Sequence, residues 1–212
     1  MIILQGSLFV MKTIGRNLFE LTLFSEKMMT MIGMIILTAV LVLITHIKKI
    51  RIELFPKKFS KGYVIFTIIS LILMLSTPSI YTEGFKALMV VIYGSIVTPI
   101  YEEYLFRGII WRKLEKCFNN EKTVYIMSAI LFSIWHIGYV IAPLLQGNLF
   151  ALFSKMAVGR VYGLILGIVR MKTHNCYSSM LLHGVLNVFS MKSVREEKMK
   201  DLHHHPLLAF IH

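Results

Sequence analysis

The amino-acid sequence predicts an all-α protein, a polytopic transmembrane helix bundle of about six to eight membrane-embedded helices. Two observations carry that expectation. Of 212 residues, 56% are hydrophobic and only 16% charged, and the mean hydropathy is +0.69. An average soluble domain is about 45–50% apolar and about 25% charged. The charges also fall between long runs that contain no Asp, Glu, Lys or Arg, as a lipid solvent demands. The apolar content excludes a disordered chain. Two cysteines without CxxC spacing, Cys117 and Cys176, exclude a disulfide scaffold. A net charge of +12 would suggest nucleic acid for a soluble protein. With the basic residues set between apolar runs it implies contact with anionic membrane lipid instead, and no nucleic-acid partner.

The elements follow in chain order. Met1–Met11 is apolar but short, and Lys12, Arg16, Glu20, Glu26 and Lys27 then alternate with Leu18, Phe19, Leu21, Leu23 and Phe24. That mixture reads as an amphipathic helix in the membrane interface, and no small-residue signal cleavage site follows it. Met28–Ile47 and Gly62–Thr82 are uncharged and long enough for the first two spans. Ala87–Tyr101 is the third, flanked by Lys86, which can snorkel to the interface. Thr123–Ser154 exceeds one span and breaks at Pro143 and Gln146-Gly147-Asn148, a turn between two helices. The fifth span runs from about Leu149 to Val169 and tolerates Lys155 and Arg160; Thr173–Met191 is the sixth. Lys192–His212 is charged and then His-rich, a solvated tail. Residues 1–86 thus form an N-terminal interfacial segment and two spans, 87–191 a core, and 192–212 a tail.

Lys48, Lys49, Arg51, Lys57, Lys58 and Lys61 face a single Glu53 in the loop after the first span, which places that loop in the cytoplasm. Alternation then puts Arg107–Lys122 and the Arg170–Lys172 turn on the same side. The weakly charged Tyr81–Phe85 and Gln146–Asn148 turns fall outside, and so does the basic tail.

Ionisable groups inside apolar helices are costly unless paired or used, and they cluster at four places. In Tyr101-Glu102-Glu103-Tyr104-Leu105-Phe106-Arg107-Gly108, Glu103 and Arg107 lie one helical turn apart and can pair. Glu102 points about 100° away around the helix. This is either a salt-bridged helix end or a site in which Arg107 fixes Glu103 and leaves Glu102 as a base. Phe132-Ser133-Ile134-Trp135-His136 places an imidazole in the fourth span, and His183-Gly184-Val185-Leu186-Asn187 places an imidazole and an amide on one face of the last. Taken singly, such groups serve to hold helices together. Gly159, Gly163 and Gly167 on the fifth span form a close-packing face, beside Lys155 and Arg160. Considered together, the ordered motifs supply a carboxylate, two imidazoles and an amide, a set able to activate water and stabilise an oxyanion.

At these residues the sequence resembles the CPBP family of CAAX-protease and bacteriocin-processing (Abi) membrane proteins. Glu102-Glu103…Arg107, Phe132…His136 and His183…Asn187 match its three motifs, over about Ala87 to Ser190. The resemblance implies an intramembrane endopeptidase acting on a membrane-associated protein or peptide precursor, with a link to bacteriocin processing or self-immunity; the small size and the lack of organelle-targeting features point to a bacterial plasma membrane. The resemblance also implies Glu102 as general base, His136 holding the water, His183 and Asn187 on the oxyanion, and Glu103 and Arg107 as supporting partners, with no cofactor and no metal. Two rivals are a zinc protease with Glu102, His136 and His183 as ligands, and a non-catalytic immunity or scaffold protein. Neither substrate identity nor oligomeric state is legible.

The topology is testable. The protein should stay in the membrane under alkaline carbonate, and a periplasm-active reporter fused at Lys57 should be silent. Release by carbonate, or an active reporter, overturns the assignment.

Overall fold

A computed structural model describes residues 2–18, 23–76, 84–139 and 149–204. The described residues form seven helices and no strand: α1 (Ile2–Leu18), α2 (Leu23–Ile47), α3 (Lys61–Leu75), α4 (Phe85–Cys117), α5 (Glu121–Trp135), α6 (Leu149–Thr173) and α7 (Cys176–His204). The turn expected at Pro143–Asn148 lies outside the described residues. A short 3₁₀ turn, His136–Tyr139, follows α5.

By length and apolarity, Phe24–Ile47, Phe85–Cys117 and Leu152–Thr173 can each cross a membrane, whereas six runs were expected to. Helix α3 is apolar but 15 residues long, about 22 Å at 1.5 Å per residue, against a hydrocarbon core of roughly 30 Å. The runs containing α3 and α5 extend into residues 77–83 and 140–148, outside the described part. The outer surface is apolar along these helices, with Ile35 and Leu43 on α2, Ile68 and Ile72 on α3, and Phe153 and Ile165 on α6 all exposed. That pattern suits contact with lipid. Lys155 and Arg160 sit on the exposed side of α6. Helix α7 continues through residues 192–204 of the expected tail.

The segment expected to lie in the interface forms α1, which packs against α2 and the core. Leu8 joins Met34 and Leu37 of α2 in a cluster with Tyr101, Phe106, Phe132 and Trp135, and Gln5 Nε2 donates to Trp135 O at 2.9 Å. Its outer side, with Ile3, Phe9 and Val10, is apolar and exposed. The helix thus contributes one side to the core while presenting apolar residues on the other.

Three basic segments meet at one end of the bundle. The 48–60 loop is stitched to the start of α7 by Cys176 N–H to Glu53 O at 3.0 Å and Tyr177 N–H to Leu54 O at 2.9 Å. Arg170 on α6 reaches Glu53 Oε2 at 3.4 Å and donates Nε–H to Arg107 O at 3.0 Å. The loop, the α6–α7 turn and the Arg107 region therefore share a side, the arrangement that alternation requires.

The glycine face of α6 lies against α5. A Cβ on Gly163 would come within 2.9 Å of Ala129 O and 3.0 Å of Ala129 Cα, and one on Gly167 within 2.8 Å of the Tyr125 ring. A Gly163→Ala variant should force the two helices apart and lose about 1–3 kcal/mol of stability, read as a lower Tm in detergent micelles. An unchanged Tm contradicts this packing.

Candidate functional site

Helix α4 is the centre of the bundle, and its backbone is irregular for a stated reason. Pro99 lacks an N–H and its ring collides with the carbonyl four residues back, and the Tyr93–Val97 segment just before it is a π turn. A second π segment spans Tyr104–Ile110. Such segments often mark functional sites, and here they bracket Thr98–Glu103. Every residue from Tyr101 to Ile109 is buried. Glu102 and Glu103 therefore both lie inside although they point different ways.

The two carboxylates have different partners. Glu103 Oε2 lies 3.2 Å from Arg107 Nε, and both side chains are fully buried. The pair lacks hydrogen-bond alignment, so it is held by charge rather than by a directed bond. Arg107 also donates from Nη2 to Gly163 O at 3.1 Å and sits over the Phe132 ring, 4.3 Å from its centroid. Glu103 Oε1 accepts from His183 Nδ1 at 3.0 Å. A carboxylate accepts only, so the proton is assigned to Nδ1, and Nε2 of that ring faces Glu102 Oε2 at 3.8 Å. The other oxygen of Glu102, Oε1, accepts from Trp135 Nε1 at 3.1 Å. His183 is wedged edge-on between the rings of Phe132 and Tyr162.

His136 is buried at the end of α5 and donates Nδ1–H to Phe132 O at 2.8 Å, so its tautomer is set by the preceding turn. Gly159 makes room for this ring, since a Cβ there would lie 2.8 Å from His136 Nδ1. Asn187 is placed differently from His183. Its Nδ2 donates to Gly94 O at 2.7 Å, across to the first π segment, rather than to a carboxylate.

Glu102, Glu103, Arg107 and His183 are thus brought into one linked group, with His136 and Asn187 on neighbouring elements. Trp135 lies within the Phe132–His136 motif, and its role as donor to Glu102 is not visible in the spacing, although an indole N–H beside a buried acid is a ready donor. The link from Glu103 to His183 was also missed, because it joins residues eighty apart in the chain. Among the described residues no group of three or more His, Cys, Asp or Glu is placed to hold a metal ion. The Glu102–His136–His183 zinc set weighed from the sequence finds no support in this geometry.

Among known families, the one described as type II CAAX prenyl endopeptidase Rce1-like matches residues 84–189. No curated protein and no solved structure matches the chain. The matched stretch begins at the residue before α4 and ends within α7, so it holds all six residues of the candidate site.

Glu103 neutralises Arg107 and orients His183, so Glu103→Gln should be costly. Removing one partner of a buried ion pair costs about 3–5 kcal/mol, and the variant should accumulate poorly and unfold early in detergent. Wild-type yield and Tm would show that Arg107 does not depend on Glu103.

Proposed function

The chain belongs to the type II CAAX prenyl endopeptidase Rce1-like family, and from that premise we propose that it is an intramembrane endopeptidase in which Glu102 activates water. Its substrate is a peptide bond in a membrane-associated protein or peptide precursor. The observation that supports this most is that the paired carboxylates have different partners. Glu103 is engaged by Arg107 and His183, whereas Glu102 is oriented through one oxygen by Trp135 and directs the other toward His183 Nε2.

In the proposed reaction Glu102 takes a proton from water as the oxygen attacks the scissile carbonyl carbon. With Nδ1–H donated to a backbone carbonyl, His136 offers Nε2 as an acceptor to hold that water. The tetrahedral oxyanion is met by His183, on the side of the ring turned away from Glu103, and by an N–H of Asn187. Glu103 acts on His183 as the buried acid of a catalytic triad acts on its imidazole, fixing the orientation of the ring. Collapse breaks the C–N bond, and the proton held by Glu102 passes to the leaving amine. Burial keeps these charges in a low-dielectric setting, where such interactions are strong.

The charge distribution supports a multi-pass membrane protein with the 48–60 loop in the cytoplasm, and we assign the membrane as a bacterial plasma membrane. The motif resemblance supports a role in bacteriocin processing or self-immunity.

The test uses a lipid-anchored fluorogenic CAAX peptide in proteoliposomes. Glu102→Gln keeps the shape of the side chain and cannot take the proton, so cleavage should disappear while yield and Tm stay near wild type. Cleavage by wild type should survive strong chelators. Retained activity in Glu102→Gln sinks the glutamate mechanism, and activity lost to chelators and restored by zinc replaces it with a metal site.

A further inference from the structure

The bond between Asn187 and Gly94 has a cause in the sequence of α4. In an α-helix the Thr98 N–H would bond to Gly94 O. Here it bonds to Tyr93 O, to which Thr98 Oγ1 also donates at 2.9 Å. The next donor along, in the π pattern, would come from position 99, and proline has none. Gly94 is buried, where a carbonyl needs a partner, and the Asn187 amide of α7 supplies one at 2.7 Å. The adjacent carbonyl, Ser95 O, also loses its α-type donor to Pro99. Gly184, three residues before Asn187, packs so closely on Ser95 O that a Cβ would collide with it. Both carbonyls that Pro99 deprives of an α-type or π-type donor are thus met by one face of α7, the face that carries Asn187.

We propose that Pro99 is a positioning residue: by denying Gly94 O a backbone donor it makes α4 capture the Asn187 amide and so orients it at the site. An amide nitrogen carries two hydrogens. Holding one on Gly94 O fixes the plane of the group and therefore the direction of the other. The catalytic consequence rests on the assignment of Asn187 to the oxyanion, but the capture itself does not. Pro99 is also one turn before Glu102, so one residue sets the backbone near the carboxylates and the hold on the amide opposite.

The test is a double-mutant cycle on the full-length protein in detergent micelles, with Pro99→Ala, Asn187→Ala and the pair. Restoring an N–H at position 99 lets the segment close to the α pattern, in which Thr98 serves Gly94 O. Asn187→Ala should therefore lower Tm by roughly 3–10 °C in the wild-type background and by little in the Pro99→Ala background. Additive effects overturn the proposal. So does failure of Pro99→Ala to accumulate, because a helix regaining its N–H should be no less stable. On the anchored CAAX peptide, Pro99→Ala should lose kcat by roughly 10²-fold with KM little changed. Coupled stabilities with unchanged kcat overturn the positioning role. Coupled stabilities with a wild-type protein that cleaves neither the anchored CAAX peptide nor a membrane-anchored peptide precursor uphold the capture and refute the endopeptidase reading instead.

Discussion

A guanidinium with no exposed surface in an apolar bundle must be neutralised and hydrogen-bonded, and the arrangement around Arg107 follows from that requirement. Its charge is met by Glu103 one turn back on α4. Its Nη2 donates to Gly163 O of α6, and the guanidinium lies over the Phe132 ring of α5. The second oxygen of Glu103 then fixes His183 of α7. One buried charge thus ties four helices together. The absence of a side chain at Gly163 matters twice, because it lets α6 approach α5 and brings its carbonyl within reach of Arg107.

The same pairing separates the roles of adjacent carboxylates. Neighbouring residues on a helix diverge by about 100°, so Glu103 faces Arg107 and His183 while Glu102 faces Trp135 and the far nitrogen of the same imidazole. His183 stands between the two acids and senses both. An imidazole held at one nitrogen has a defined second nitrogen, and this is what makes a geometric site out of groups that could otherwise only cross-link helices. His136, held at Nδ1 by the turn before it, has the same property.

Backbone carbonyls are the other organising element. In lipid a helix must satisfy its own polar groups, and α4 does not do so near Pro99. The buried acceptors left there are met from α7, by the Asn187 amide and by the close approach of Gly184. At the opposite end of α4, Arg170 donates to Arg107 O and reaches Glu53, which couples the basic 48–60 loop to the helix that carries the carboxylates. Irregular backbone is tolerated because neighbouring helices complete it.

The sequence by itself determined whatever depends on composition or on spacing within one helix. Uncharged runs made the chain a helical membrane bundle. Four-residue spacing paired Glu103 with Arg107 and turned Glu102 toward a different side of the helix. The same spacing put Gly159, Gly163 and Gly167 on one packing face, and three ordered motifs pointed to the residues of the site. Only the tertiary structure decided which helices touch. It brought His183 onto both carboxylates, placed Trp135 as the donor to Glu102, packed α1 against the core and bound the Asn187 amide to Gly94 O. The physical reason is range: helical geometry places residues three or four apart with no knowledge of the rest of the chain. A contact between helices depends on how all the side chains pack, and on which backbone groups one helix leaves for another to satisfy.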